Sequence, residues 1–141
     1  MRNPSHARKP RFRPSDAPIC YRAGLVSEAL GDGEAAKAHW RNGVSEAHHP
    51  IPSVERFYVE CCRWKLGEQV QAVANLGAVR HAIRARAEGT KTSAEDLLLL
   101  GLVEKALGDK RAARAAFEEA LTQSPGHPVV VRELRRMNAG A

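Results

Sequence analysis

The sequence predicts an all-α fold in which three antiparallel helix pairs stack and a final helix covers the end of the stack. Its composition favours helices, because only 5% of the 141 residues are aromatic, while Ala, Leu, Arg and Glu are plentiful. Residues 24–40 and 101–117 are identical at ten of seventeen positions, which indicates an internal repeat. A Leu-Gly-acidic turn recurs around Gly31, Gly67 and Gly108, at intervals of 36 and 41 residues.

The residues around each turn predict a helix pair. Glycine can adopt the left-handed conformation that ends a helix, and Asp32 and Asp109 suit the start of the next helix, where a carboxylate accepts from free backbone N–H groups. A small residue then lets the two helices approach, and a large residue one turn later fills the space beside it. These small and large residues are Ala36 and Trp40, Ala72 and Leu76, and Ala113 and Phe117.

Taken in chain order, the elements begin with residues 1–17, which we expect to be a disordered basic tail. Residues 1–18 contain four prolines, five Lys and Arg side chains and one acidic residue, so they hold most of the formal net charge of +6. The folded domain is predicted over residues 18–138, with repeats near 17–50, 53–89 and 94–127 and a capping helix over 128–138.

Residues that break or cap helices separate the predicted elements. Pro50 and Pro52 end the first pair, and Thr92 or Ser93 caps the fifth helix. Gly43 lies inside the second helix, where it costs roughly 1 kcal/mol relative to alanine. The helices are expected near 19–30, 33–47, 53–66, 68–87 and 110–123, with the fifth beginning after the cap and the last running over 128–137.

This pattern resembles the tetratricopeptide repeat, most fully in the third copy. There Leu97, Leu100 and Gly101 fill the family's large, large and small positions in the first helix. The second-helix signature and its closing proline are matched by Ala113, Phe117, Ala120 and Pro125. The resemblance covers roughly residues 17–128 and implies a right-handed α-solenoid of three antiparallel helix pairs that recognises other proteins. It implies no reaction.

The resemblance also implies a binding groove, because in this family the first helix of each pair lines the concave surface. The matching positions are Tyr21, Leu25 and Glu28 in the first copy, Phe57, Cys61 and Trp64 in the second, and Leu98, Leu102 and Lys105 in the third. Most are apolar, so we expect the groove to hold an apolar partner: a peptide, a helix, a second copy of the chain or a neighbouring domain. The alternative is that a tightly curled stack buries these residues as ordinary core.

Some tetratricopeptide modules hold the C-terminal carboxylate of chaperones with a clamp of Lys, Asn and Arg. The matching positions here are Tyr21, Leu25, Tyr58, Glu95 and Leu99. None of these can donate a charged hydrogen bond to a carboxylate. We therefore expect no chaperone-tail binding of that type.

No catalytic, cofactor or metal site is predicted. Cys61 and Cys62 are consecutive on a helix, where side chains point about 100° apart and cannot easily share one ion, so we expect them to be packing residues. Together with Cys20 they form no CxxC motif, and no Ser/His/Asp arrangement stands out. The cysteine usage and the lack of a long apolar segment predict a cytoplasmic protein that does not enter a membrane.

Three functions remain open from the sequence. The favoured one is a protein–protein interaction module, including self-association through the groove. The second is a structural C-terminal repeat segment of a larger bacterial protein or assembly. The third is a nucleic-acid accessory protein that acts through the basic tail, or through a second basic cluster at Arg80, Arg84, Arg86 and Lys91, which we expect instead to be a solvated face.

Overall fold

The computed structural model describes residues 16–45, 53–89 and 91–140, and within these ranges it contains seven α-helices and no strand. The helices are α1 (Ala17–Ala29), α2 (Gly33–Ser45), α3 (Val54–Lys65), α4 (Gln69–Ala87), α5 (Ala94–Ala106), α6 (Lys110–Gln123) and α7 (Pro128–Ala139). Sequence neighbours pack as pairs, α1 on α2, α3 on α4 and α5 on α6, and α3 also contacts α1, α2 and α5. The predicted all-α solenoid is confirmed.

The predicted helix bounds hold closely in the described residues. Helix α1 begins at Ala17, two residues before its expected start, because Ala17 is buried and Pro18 is tolerated in a first turn. Of the two candidate caps for α5, Ser93 is the one used, since its Oγ accepts from the backbone N–H of Asp96 at 3.1 Å. Of the predicted tail over residues 1–17, residues 1–15 lie outside the described residues, whereas Ala17 is the first residue of α1; the predicted break at residues 50–52 also lies outside them.

The three turn glycines adopt the conformation that the repeat requires. Gly31, Gly67 and Gly108 have φ of 84°, 90° and 91°, and each stands between the two helices of one pair. The N–H of the residue after each glycine donates to the carbonyl oxygen five residues earlier, at 2.9–3.1 Å. Asp32 and Asp109 then accept the backbone N–H three residues on, at 3.0 and 2.9 Å. The three tight corners are therefore confirmed.

The first and third pairs interlock through a glycine and an aromatic ring sixteen residues later. A methyl group added to Gly24 would lie 2.6 Å from Cδ1 of Trp40, and one added to Gly101 would lie 2.5 Å from Cδ1 of Phe117. Both rings are buried, and each occupies the space that a side chain at the glycine position would fill. The second pair has Glu60 at the glycine position and Leu76 at the aromatic position.

Gly43 also makes room for a neighbour, which accounts for a residue that helix propensity disfavours. A methyl group there would lie 2.6 Å from Sγ of Cys62 in α3 and 3.2 Å from Cβ of Cys20 in α1. Cys62 and Cys20 are both buried. Glycine therefore costs about 1 kcal/mol in helix propensity here, but it allows close contact between the first two pairs.

A buried carboxylate joins the second and third pairs. Glu104 of α5 is 1% exposed, and its oxygens accept from Arg80 and Arg84 of α4 at 3.1 and 2.9 Å. A buried charge requires such partners. These two arginines are therefore not free surface cations, and the length of α4, predicted to reach Ala87, lets both contact α5. Arg86 lies 3.4 Å from Asp96 in a further ion pair.

The two ends of the stack differ. At the C-terminal end α7 packs on α6, with Val130 fully buried and Arg132 and Arg135 exposed, as its amphipathic pattern predicts. At the other end α1 carries a stripe of exposed apolar side chains. Its members, Ile19, Val26 and Leu30, are 60%, 59% and 79% exposed and share one helix face by their spacing of seven and four residues.

Candidate functional site

Three concavities that share lining residues open among α1, α3, α5 and α7, with further residues from α4 and α6. The first, the tryptophan cleft, has a volume of about 210 Å³ and is lined by Tyr21, Glu60, Cys61, Trp64, Lys65, Leu76 and Ala106. The second, the tyrosine cleft, has a volume of about 300 Å³ and is lined by Tyr21, Phe57, Tyr58, Cys61, Leu102, Lys105, Ala106, Glu133 and Arg136. The third, the basic pocket, has a volume of about 220 Å³ and is lined by Lys105, Lys110, Arg114, Arg136, Met137 and Gly140.

Aromatic rings from α1 and α3 form the wall of the tyrosine cleft. The centroids of Tyr21 and Tyr58 lie 5.8 Å apart, and Phe57 meets Tyr58 edge-on at 5.1 Å. The guanidinium of Arg22 lies 5.4 Å from the centroid of the Tyr58 ring and 3.5 Å from its hydroxyl oxygen. Such geometry favours contact between the rings and fixes their orientation without a partner present.

Tyr21 is held from the core side. The indole N–H of Trp40 donates to the backbone carbonyl oxygen of Tyr21 at 3.3 Å, which ties the ring-bearing residue of α1 to the buried indole of α2. Burial raises the pKa of the Tyr21 hydroxyl to about 12, and the nearby Cys61 thiol acts in the same direction. The hydroxyl is therefore neutral at physiological pH and available as a hydrogen-bond donor.

Of the seven apolar groove residues predicted from sequence, five line the two clefts. These are Tyr21, Phe57, Cys61, Trp64 and Leu102. Leu25 packs instead against the small cluster of Ala36, Trp40 and Cys62. Leu98 is 5% exposed within the main core and is not among the residues that line the two clefts, and Phe57 and Leu102, which do line the tyrosine cleft, are themselves only 6% and 7% exposed. Neighbouring helices therefore cover most of α5, and at Leu98 the alternative interpretation, an ordinary core residue, applies.

The two charged groove positions are both paired, and of the two only Lys105 is among the residues that line the clefts. Glu28 accepts from Lys65 at 2.9 Å, across the first two pairs, and Lys105 donates to Glu133 of α7 at 2.8 Å. The groove prediction did not include Tyr58, Lys65 or Arg136. The sequence contained a signal for two of them. Tyr58 lies three residues before Cys61 and Lys65 four residues after it, a spacing that places all three on one helix face.

The thiols have the properties of packing groups. Cys20, Cys61 and Cys62 form no disulfide, and burial raises the pKa of both the Cys61 and the Cys62 thiols, that of Cys62 to about 12. A thiol that stays protonated is a poor nucleophile and a poor metal ligand. Within the described residues no three His, Cys, Asp or Glu side chains come together as metal ligands would.

Comparison with known proteins identifies part of the chain. Residues 97–127, which span most of α5, all of α6 and the following turn, match the tetratricopeptide repeat family. No curated protein and no solved structure matches the chain. Among the helices of the described ranges, none combines the length and the apolar character needed to cross a membrane.

Proposed function

We propose that this chain, which is a tetratricopeptide-type helical-repeat protein, binds a segment of another protein in its tryptophan and tyrosine clefts. Repeats of this family generally act as protein-interaction modules. The mechanism is burial of surface, not chemistry, and it needs no cofactor. The partner's apolar side chains enter the clefts, and the flanking charges of Lys65, Lys105 and Arg136 border them.

One observation carries the proposal: three half-buried aromatic side chains line two clefts that share a wall. Tyr21, Tyr58 and Trp64 are neither fully buried nor fully exposed, and Tyr21 and Cys61 belong to both clefts. Rings of this kind supply much contact area with few rotatable bonds, and they are enriched among the residues that dominate binding energy. A continuous surface of this kind suits an extended peptide or one face of a helix.

The test is a selection of short random-sequence peptides on the immobilised protein, followed by affinity measurements on the enriched peptides. Trp64→Glu places a charge in the tryptophan cleft and is expected to weaken binding at least tenfold. Val70→Glu is the matched control, because it makes the same kind of change at an 88% exposed residue of α4, outside the residues that line the clefts. Equal losses in both variants, or no enriched peptide, would contradict the proposal.

A second candidate is a structural role in which the first helix pair packs against another helical unit. The exposed stripe of Ile19, Val26 and Leu30 favours it, because a helical pair in a stack leaves one apolar face for its neighbour. Sedimentation velocity over a range of concentrations tests whether that neighbour is a second copy. Association that Val26→Glu abolishes and Val70→Glu preserves would support packing of two copies through this stripe, and a monomer at every concentration would contradict it.

The nucleic-acid alternative rests on residues outside the described ranges and on a basic cluster that is largely paired. Arg80, Arg84 and Arg86 each contact a carboxylate of α5. Their positive charges are therefore largely neutralised by carboxylates within the protein. Lys91 is exposed beside them.

A further inference from the structure

We infer that the basic pocket receives an acidic side chain of the same partner segment whose apolar residues enter the tyrosine cleft, so that the partner is an acidic-apolar peptide segment. This inference rests on the proposed function and names the chemistry of the partner. The two concavities adjoin, since Lys105 and Arg136 line both. A chain that leaves the tyrosine cleft past these two residues enters the basic pocket.

The charges of the pocket are only partly balanced by the protein. Glu133 is 7% exposed, and its oxygens lie 2.8 Å from Lys105 and 3.6 Å from Arg136. Across the described ranges, the side chain of Lys110 forms no ion pair or hydrogen bond, and the side chain of Arg114 donates only to the neutral amide oxygen of Asn138. Four cations therefore face one carboxylate, which leaves a positive pocket for an anion.

Helix stability does not explain why Lys110 and Arg114 are placed there. Lys110 is the first residue of α6, and the N-terminal end of a helix favours negative charge. Arg114 follows it by four residues on the same face, and like charges at that spacing destabilise a helix. By contrast, Lys105 and Arg136 lie in the last turns of their helices, where cations are favourable. The pair of Lys110 and Arg114 instead places two positive charges on the wall of the basic pocket, where a bound anion would balance them.

A carboxylate of a peptide fits this site better than the backbone of a nucleic acid. The Glu133 carboxylate lies where the pocket meets the tyrosine cleft, so a strand of phosphates that followed the cleft would meet a negative charge. Tyr58 contacts the Tyr21 ring at an interplanar angle of 47° and the Phe57 ring edge-on, so the three rings do not form the row of parallel faces on which successive bases stack. A single acidic side chain beside an apolar one avoids both problems.

The experiment uses the enriched peptides, each synthesised in its selected form and with every Asp and Glu replaced by Asn and Gln. The double variant Lys110→Glu/Arg114→Glu reverses the unbalanced charges of the pocket. The matched control is Lys37→Glu/Arg41→Glu, an exposed pair on α2 with the same spacing and the same change in net charge. Circular dichroism of both variants shows that the fold is retained before binding is compared.

Wild-type protein is expected to bind the acidic peptides about tenfold more tightly than their amide forms at low salt, and this preference should shrink as salt is added. The pocket variant should lose the preference, while the control variant keeps it. Equal binding of both peptide forms, or equal loss in the control, overturns the inference. If Trp64→Glu still abolishes binding in that case, the proposed function stands without it.

Two further outcomes also decide the matter. If no peptide is enriched, both the proposed function and this inference are overturned. If a labelled single-stranded oligonucleotide binds more tightly than any selected peptide and loses affinity in the pocket variant, the pocket recognises nucleic acid, and the inference is again overturned.

Discussion

The close packing of Gly101 against Phe117 predicts that Gly101→Ala destabilises the protein, whereas helix propensity alone predicts that it stabilises it. Gly101→Ala places a methyl group within 2.8 Å of three atoms of a fully buried ring. Overpacking of this kind costs typically about 1–3 kcal/mol, and because Phe117 is fully buried we take the upper end. The helix gains about 1 kcal/mol when alanine replaces glycine. The expected net loss is about 2 kcal/mol.

Gly77→Ala is the matched control, because Gly77 lies inside α4 and nothing lies within 4 Å of an added methyl group. This variant should be more stable than wild type by about 1 kcal/mol, so the two substitutions should differ by about 3 kcal/mol. Urea denaturation followed by far-ultraviolet circular dichroism measures both. In thermal denaturation the loss for Gly101→Ala corresponds to a midpoint lower by about 8 °C.

A compensating variant shows whether the overlap is the cause. The second pair already combines a larger residue at the glycine position with leucine in place of the ring, at Glu60 and Leu76. Phe117→Leu should therefore cost at least about 1 kcal/mol less in the Gly101→Ala background than in wild type. Additive losses, or a Gly101→Ala protein as stable as wild type, would refute the assigned register of the third pair.

Three further predictions concern the core and its charges. Trp40→Ala is expected to cost about 3–5 kcal/mol in urea denaturation, because it leaves a cavity in the first pair, and a loss under about 1 kcal/mol would contradict this packing. Glu104→Gln should cost about 1–3 kcal/mol by weakening two charge-assisted hydrogen bonds, whereas exposed Glu118→Gln should change stability by less than about 0.5 kcal/mol. The folded-state pKa of Tyr21 is raised, so its contribution to stability should be complete below pH about 10 and be lost as the pH rises towards about 12. An ultraviolet titration should show one phenol ionising near pH 12 that is absent in Tyr21→Phe, and an unchanged titration would contradict this assignment.

Much of the architecture could be predicted because its determinants are local. The left-handed turns at Gly31, Gly67 and Gly108 depend on residues close in sequence. The constant offset between the third copy and the first lets the clear pattern of the third pair locate the helices of the first pair. The bounds of α6 agree with the prediction, since Asp109 caps it within the same short segment.

What could not be predicted depends on contacts between residues distant in sequence. Gly43 has a helix-propensity penalty that is visible from sequence, but its purpose appears only when Cys62 of the next pair is placed against it. Judged by residue type alone, Glu104 and Arg84 would be placed on a solvated surface. Only the packing of α4 on α5 buries the Glu104 carboxylate. Leu98 and Leu102 share a helix, a residue type and a place in the buried core, yet only Leu102 of the two lines the tyrosine cleft.

The candidate site was predicted in outline but not in extent. The family resemblance identified the first helices, and with them Tyr21, Phe57 and Trp64. It could not include α7, because a capping helix has no place in the repeat pattern. The basic pocket depends on α7 for Arg136 and on the start of α6 for Lys110, so it emerges only from the folded end of the stack.

A partner that covers the clefts must contact Trp64, and fluorine NMR of protein labelled with 5-fluorotryptophan tests this most directly. The chain has two tryptophans, Trp40 buried in the first pair and Trp64 in the tryptophan cleft, and Trp64→Phe assigns their resonances. On saturation with a selected peptide, the Trp64 resonance should shift while that of Trp40 stays in place. A bound peptide that leaves the Trp64 resonance unchanged would contradict the account.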